Sequence, residues 1–68
     1  MNASQFAVVE DGDILSFVKD GVLFLQVKRD GTVLRWTGFK DEGVDFVPSW
    51  FPCEEAVVAH LEMSGTSD

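Results

Sequence analysis

The sequence predicts an α+β fold: a four- to five-stranded antiparallel β-meander followed by one C-terminal α-helix. Three observations carry this reading. Asp-Gly dipeptides recur at Asp11-Gly12, Asp20-Gly21 and Asp30-Gly31. The segments between them alternate apolar and other residues, as strands do. Beyond Pro52, the stretch Cys53 to Met63 carries no helix breaker, and Gly65 stands just past its end.

Each Asp-Gly suits the two positive-φ positions of a type I′ turn, whose twist matches that of paired strands. Three such turns in succession give four strands. With Asp11-Gly12 as the first turn, Val9 faces Ile14 and Phe6 faces Phe17. With Asp20-Gly21, Lys19 faces Val22 and Phe17 faces Phe24. With Asp30-Gly31, Arg29 faces Thr32 and Val27 faces Leu34. The three registers agree on the two faces without a bulge. Ala7, Val9, Ile14, Ser16, Val18, Leu23, Leu25, Val27, Leu34 and Trp36 form the expected core face. Phe6, Val8, Leu15, Phe17, Val22, Phe24, Gln26, Lys28, Val33, Arg35, Thr37 and Phe39 form the second face, which is too aromatic for an ordinary solvated one.

After Trp36, the run Gly38, Asp41, Glu42 and Gly43 predicts a turn, and Val44 to Val47 a short fifth strand. Pro48 and Pro52 bracket Ser49, Trp50 and Phe51, with Ser49 a candidate N-cap. The helix over Cys53 to Met63 should pack through Cys53, Val57 and Leu61, with Ala56 or His60 beside them. Glu54 and Glu55 near its start suit the helix dipole. Residues 1–63 make one domain and 64–68 a tail.

Such a helix is roughly 16 Å long and covers one side of the sheet. Phe6, Phe17, Phe24 and Phe39 would then lie uncovered on the other, a larger apolar patch than a soluble monomer usually carries. A partner, a second copy or closure of the sheet into a small curled barrel, with residues 44 to 51 over that face, are the alternatives. Lys28 and Arg35 would rim the interface.

The 68-residue chain has 46% hydrophobic residues, six Phe and two Trp, the composition of a folded domain near the lower size limit. Cys53 is the lone cysteine and His60 the lone histidine, so no intrachain disulfide and no metal cluster is expected. No cofactor motif is present. No Ser-His-acid set can be assembled, and the glycines serve turns rather than a phosphate cradle. Cys53 at a helix start has two readings, an activated thiol or a small apolar residue packed under the helix. A non-enzymatic protein is expected. Met1 to Phe6 shows no basic region leading into an apolar stretch, so no signal peptide is expected, and no apolar run approaches the roughly 20 residues of a membrane span. The expected location is cytoplasmic.

Net charge is −7, yet all five cations lie between Lys19 and Lys40. The segment from Asp41 onward is wholly acidic: Asp41, Glu42, Asp45, Glu54, Glu55, Glu62 and Asp68. Such an excess keeps a small protein soluble, or it draws a basic partner by standing in for nucleic-acid phosphates. The expected function is a protein-interaction module, a homodimer that binds and inhibits a partner with a basic surface. Its interface residues would be Phe6, Phe17, Phe24, Lys28, Arg35 and Phe39. Its acidic surface would be Asp41, Glu42, Asp45, Glu54, Glu55 and Glu62. This composition is similar to that of phage-borne inhibitors of host machinery.

The alternative is single-stranded nucleic-acid binding, with Phe17 and Phe24 as stacking platforms beside Lys28, Arg35 and Lys19. The strand-strand-strand-strand-helix order, with Gly43-Val44-Asp45-Phe46 leading into the helix, resembles the whirly-like single-stranded-DNA-binding coactivators. That resemblance implies a dimer formed through the helices. The charge departs from the pattern, since few counterions would be released by so acidic a chain.

Overall fold

A computed structural model describes residues 6–65. Five strands, β1 (Ala7–Asp11), β2 (Ile14–Lys19), β3 (Val22–Asp30), β4 (Val33–Lys40) and β5 (Trp50–Phe51), precede one helix, α1 (Glu54–Gly65). All strand pairs are antiparallel, and the sheet order β1-β2-β3-β4-β5 is that of a meander. The sheet is open and not closed into a barrel. Expectations for Met1 to Gln5, and for the tail over 66–68, lie outside the described residues.

Only the middle turn has the expected form. Lys19 pairs with Val22, and Asp20 (φ 55°) and Gly21 (φ 77°) both take the left-handed conformation of a type I′ turn. The outer turns slide by one residue. Asp11 pairs with Ile14 around Gly12-Asp13, and Asp30 with Val33 around Gly31-Thr32. In both, glycine occupies the first loop position with positive φ (64° and 65°), the pattern of a type II′ turn. Val9 therefore faces Ser16 rather than Ile14, and Arg29 faces Leu34 rather than Thr32. These slips move each partner by two places, so they leave the faces unchanged.

A bulge does change them. Val18 pairs with Leu23 but Phe17 pairs with Leu25, leaving Phe24 as the extra residue. A shift of one exchanges the faces of β2, and of β1 with it, relative to β3. Leu15 and Phe17 consequently join Leu25, Val27 and Leu34 in the core, with Phe17 0% exposed. Val9, Ile14, Ser16 and Val18, expected in the core, lie on the opposite face, as does Leu23 above the bulge. The exchange buries a Phe and a Leu and releases Ser16 from the interior, where its hydroxyl would need a partner. On the open face that hydroxyl accepts from Gln26 Nε2 at 3.2 Å. A second irregularity interrupts β3–β4 pairing between Val27 and Leu25, opposite the part of β4 that holds Gly38 (φ 105°).

Val44 and Val47 form no strand. Both are buried in the core, carried there by an irregular segment that Lys40 anchors by donating to the Val44 carbonyl at 2.7 Å. The fifth strand is Trp50–Phe51, pairing Phe51 with Leu34 and Trp50 with Arg35. Ser49 is not the N-cap. Its carbonyl accepts from the Trp36 amide at 3.0 Å, extending the β4–β5 pairing, and the first helical carbonyl is that of Cys53, which accepts from Val57. The helix runs through Gly65, two residues beyond the expected end. It packs on the Phe17 face through Val57 and Leu61, with Ala56 and Val58 beside them. Cys53 is exposed instead of lying under the helix.

Candidate interaction surfaces

The helix and the segment before it cover one face of the sheet, which leaves the other without a layer among the described residues. Chained pairings place Asp11, Ile14, Lys28, Arg35 and Trp50 side by side in one row across all five strands of this open face. A neighbouring row holds Val9, Ser16 and Gln26, and beyond it lie Ala7, Val18 and Leu23. Val9 is 53% exposed and Trp50 50%, while Ile14, Val18 and Leu23 are half-buried by their neighbours alone. The surface is therefore aliphatic toward β1–β2 and cationic-aromatic toward β4–β5.

Fixed charges organise it. Arg35 Nε donates to Asp30 Oδ2 at 2.8 Å, while Lys28 has no partner among the described residues. The remaining cations are engaged elsewhere. Arg29 pairs with Glu10, which holds its guanidinium pKa above the ordinary value, and also donates to the Gly12 carbonyl. Lys19 sits over the Phe6 ring at 5.5 Å.

The six residues expected at the interface are not gathered on one surface. Lys28 and Arg35 share the open face and are exposed. Phe17 is wholly buried and can meet nothing without opening the core. Phe6 and Phe24 are half-buried against the core cluster, edge to face at 5.5 Å. Phe39 is exposed, and its carbonyl accepts from the Trp36 indole at 2.8 Å. Sequence reasoning missed Val9, Ile14, Val18 and Leu23, which it had placed inside, and Trp50. The signal available for Trp50 was its position beside Phe51: two adjacent aromatics in a strand cannot face the same side.

The expected acidic surface is divided. Asp41 caps a turn, its carboxylate accepting from the Gly43 amide at 2.9 Å, and Glu42 and Asp45 are exposed nearby. Glu54, Glu55 and Glu62 instead line a groove of about 390 Å³ between α1 and β1, with Phe6, Val8, Val58 and Ala59 as its apolar lining. This follows from helical spacing: 54, 58 and 62 form one stripe, while 57 and 61 form the buried one.

The chemically versatile side chains are occupied with local contacts. His60 Nε2 meets the Phe46 carbonyl, and its ring lies edge-on to Phe51 at 5.8 Å. Cys53 Sγ lies 3.9 Å from a Glu55 carboxylate oxygen. No helix among the described residues is long and apolar enough to cross a membrane. Compared with protein-family models, with curated proteins and with solved structures, the chain matches none.

Proposed function

We propose that this protein is a non-enzymatic interaction module that pairs with a second copy through its open sheet face and uses its acidic C-terminal half to bind, and thereby block, a protein with a basic surface. The open face carries the reading. It combines exposed aliphatic and aromatic groups with a few placed charges, the character of an interface core with a polar border. Its row is also self-complementary. A two-fold axis along the strands between β2 and β3 lays Asp11 of one copy over Arg35 of the other, and Ile14 over the Lys28 stem. A cytoplasmic setting suits such a module, since its lone exposed thiol, Cys53, stays reduced there.

Light scattering after size exclusion, over a concentration series, tests the pairing. The parent protein should approach the mass of two chains as concentration rises, and Val18→Lys should hold the mass of one chain while its far-UV circular dichroism is unchanged. A parent that stays monomeric at millimolar concentration contradicts self-association.

A second reading rests on the Lys28, Arg35 and Trp50 neighbours in the same row. Two cations beside an exposed indole offer a backbone contact and a stacking platform for single-stranded nucleic acid. The net charge of −7 opposes it. Under this reading Lys28→Glu with Arg35→Glu abolishes binding of an oligothymidine probe at low salt; absence of binding by the parent ends it.

A further inference from the structure

The outer edge of β1 is an open strand edge among the described residues. All five of its residues are exposed, and its register with β2 is unbroken from Ala7 to Asp11. Nothing among the described residues pairs with its far side, where alternate backbone N–H and C=O groups point outward. Natural edges are commonly blunted by charged residues, proline or a bulge; β1 has no proline and no bulge, and its two charged residues, Glu10 and Asp11, are both acidic, so they oppose an acidic strand and suit a basic one. The opposite edge, β5, is only two residues long and offers little to pair with. The groove lined by Phe6, Val8, Val58, Glu54, Glu55 and Glu62 lies between β1 and α1.

We propose that the outer edge of β1 and this groove receive an extended, cationic segment of a partner protein, added as a sixth strand. The proposal rests on the basic-partner half of the function proposed above and names its site. Strand addition supplies backbone hydrogen bonds, and alternate side chains of the added strand point into the space beside α1. There Arg or Lys side chains meet the carboxylates of Glu54 and Glu55, with their aliphatic stems on Val8 and Val58. Charge selects the occupant. A second copy would bring its own Glu10 and Asp11 and set two acidic grooves together, so a basic foreign strand fits where a copy of β1 does not.

The test uses the full chain and a fluorescein-labelled octapeptide of alternating Arg and Val, titrated by fluorescence anisotropy at low and moderate salt. The same peptide N-methylated at every residue is the control, because it keeps the charge and loses the backbone donors of both edges. The parent should bind the plain peptide at least tenfold more tightly than the methylated one. Glu54→Gln with Glu55→Gln should weaken binding of the plain peptide about tenfold, and Val18→Lys on the open face should leave it unchanged. Equal affinity for both peptides means charge alone holds them; this overturns strand addition while attraction to a basic partner stands. Loss of binding in Val18→Lys with the Glu double variant unaffected moves the peptide to the open face and overturns the site. No binding of either peptide at low salt overturns both the site and the basic-partner reading.

Discussion

At the scale of single residues, Phe24 has the largest consequence. As the extra residue opposite Phe17 and Val18, it decides which side of β2 is buried. Deleting Phe24 removes the extra residue but keeps Phe17 opposite Leu25 and Leu15 opposite Val27, so the core face is retained and the edge-to-face contact with Phe6 is lost. The expected result is a cooperative thermal transition that persists at a lower midpoint, read by circular dichroism at rising temperature; loss of the transition would show that the bulge itself is needed to hold the faces. Phe17 supplies the complementary prediction. It is fully buried, so Phe17→Ala should cost about 3–5 kcal/mol. In so small a domain that is a large share of the total, and urea titration should find the variant mostly unfolded in buffer. Gly21 is a milder case. Its φ of 77° has open space around it, so Gly21→Ala meets no clash and pays only for backbone conformation, about 1 kcal/mol by the same titration.

At the scale of elements, the meander and the helix were legible because their signals are local. The middle Asp-Gly places two positive-φ residues between two strands, and that pattern reads directly from sequence. The outer two were misread by one position, because Gly-Asp and Gly-Thr loops satisfy a type II′ turn as readily as Asp-Gly satisfies type I′. The bulge was not legible. Both registers of β2 on β3 present alternating apolar rows, and the choice rests on side-chain volume and on Ser16, which pairwise turn chemistry does not weigh. Val44 and Val47 misled for a related reason. Their apolar character marks burial, but the backbone that buries them is irregular and Pro48 follows at once, so burial did not mean a strand. The surface set failed in step with the faces: once β2 exchanged sides, Phe17 moved inside and Val9, Val18 and Leu23 moved out. At the helix, the acids of the groove provide a further prediction. Glu54→Gln with Glu55→Gln should lower the association rate with a basic partner more than it raises dissociation, seen by stopped-flow at two salt concentrations.

At the scale of the whole molecule, the fold keeps apart two surfaces of different character. The open sheet face carries Lys28 and Arg35 among aliphatic groups, and the groove between β1 and α1 carries glutamates over apolar residues. Self-association through the first leaves the second accessible, so one small chain can dimerise and still hold a partner. Both uses depend on the bulge having set the faces as described, since without it Phe17 would be outside and Val18 inside.

Thiol accessibility measures that assignment directly. In a Cys53→Ser background, Val18→Cys and Val27→Cys are near-isosteric probes, one on each face of neighbouring strands. Their reaction rates with a small thiol reagent should be compared at the lowest workable protein concentration. Cys at 18 should react within about tenfold of an unfolded thiol, at a rate that falls as concentration rises and the copies pair, while Cys at 27 should react only as fast as the protein unfolds. Equal protection of the two sites at low concentration would place both in one core, and would contradict the open face on which the proposed function stands.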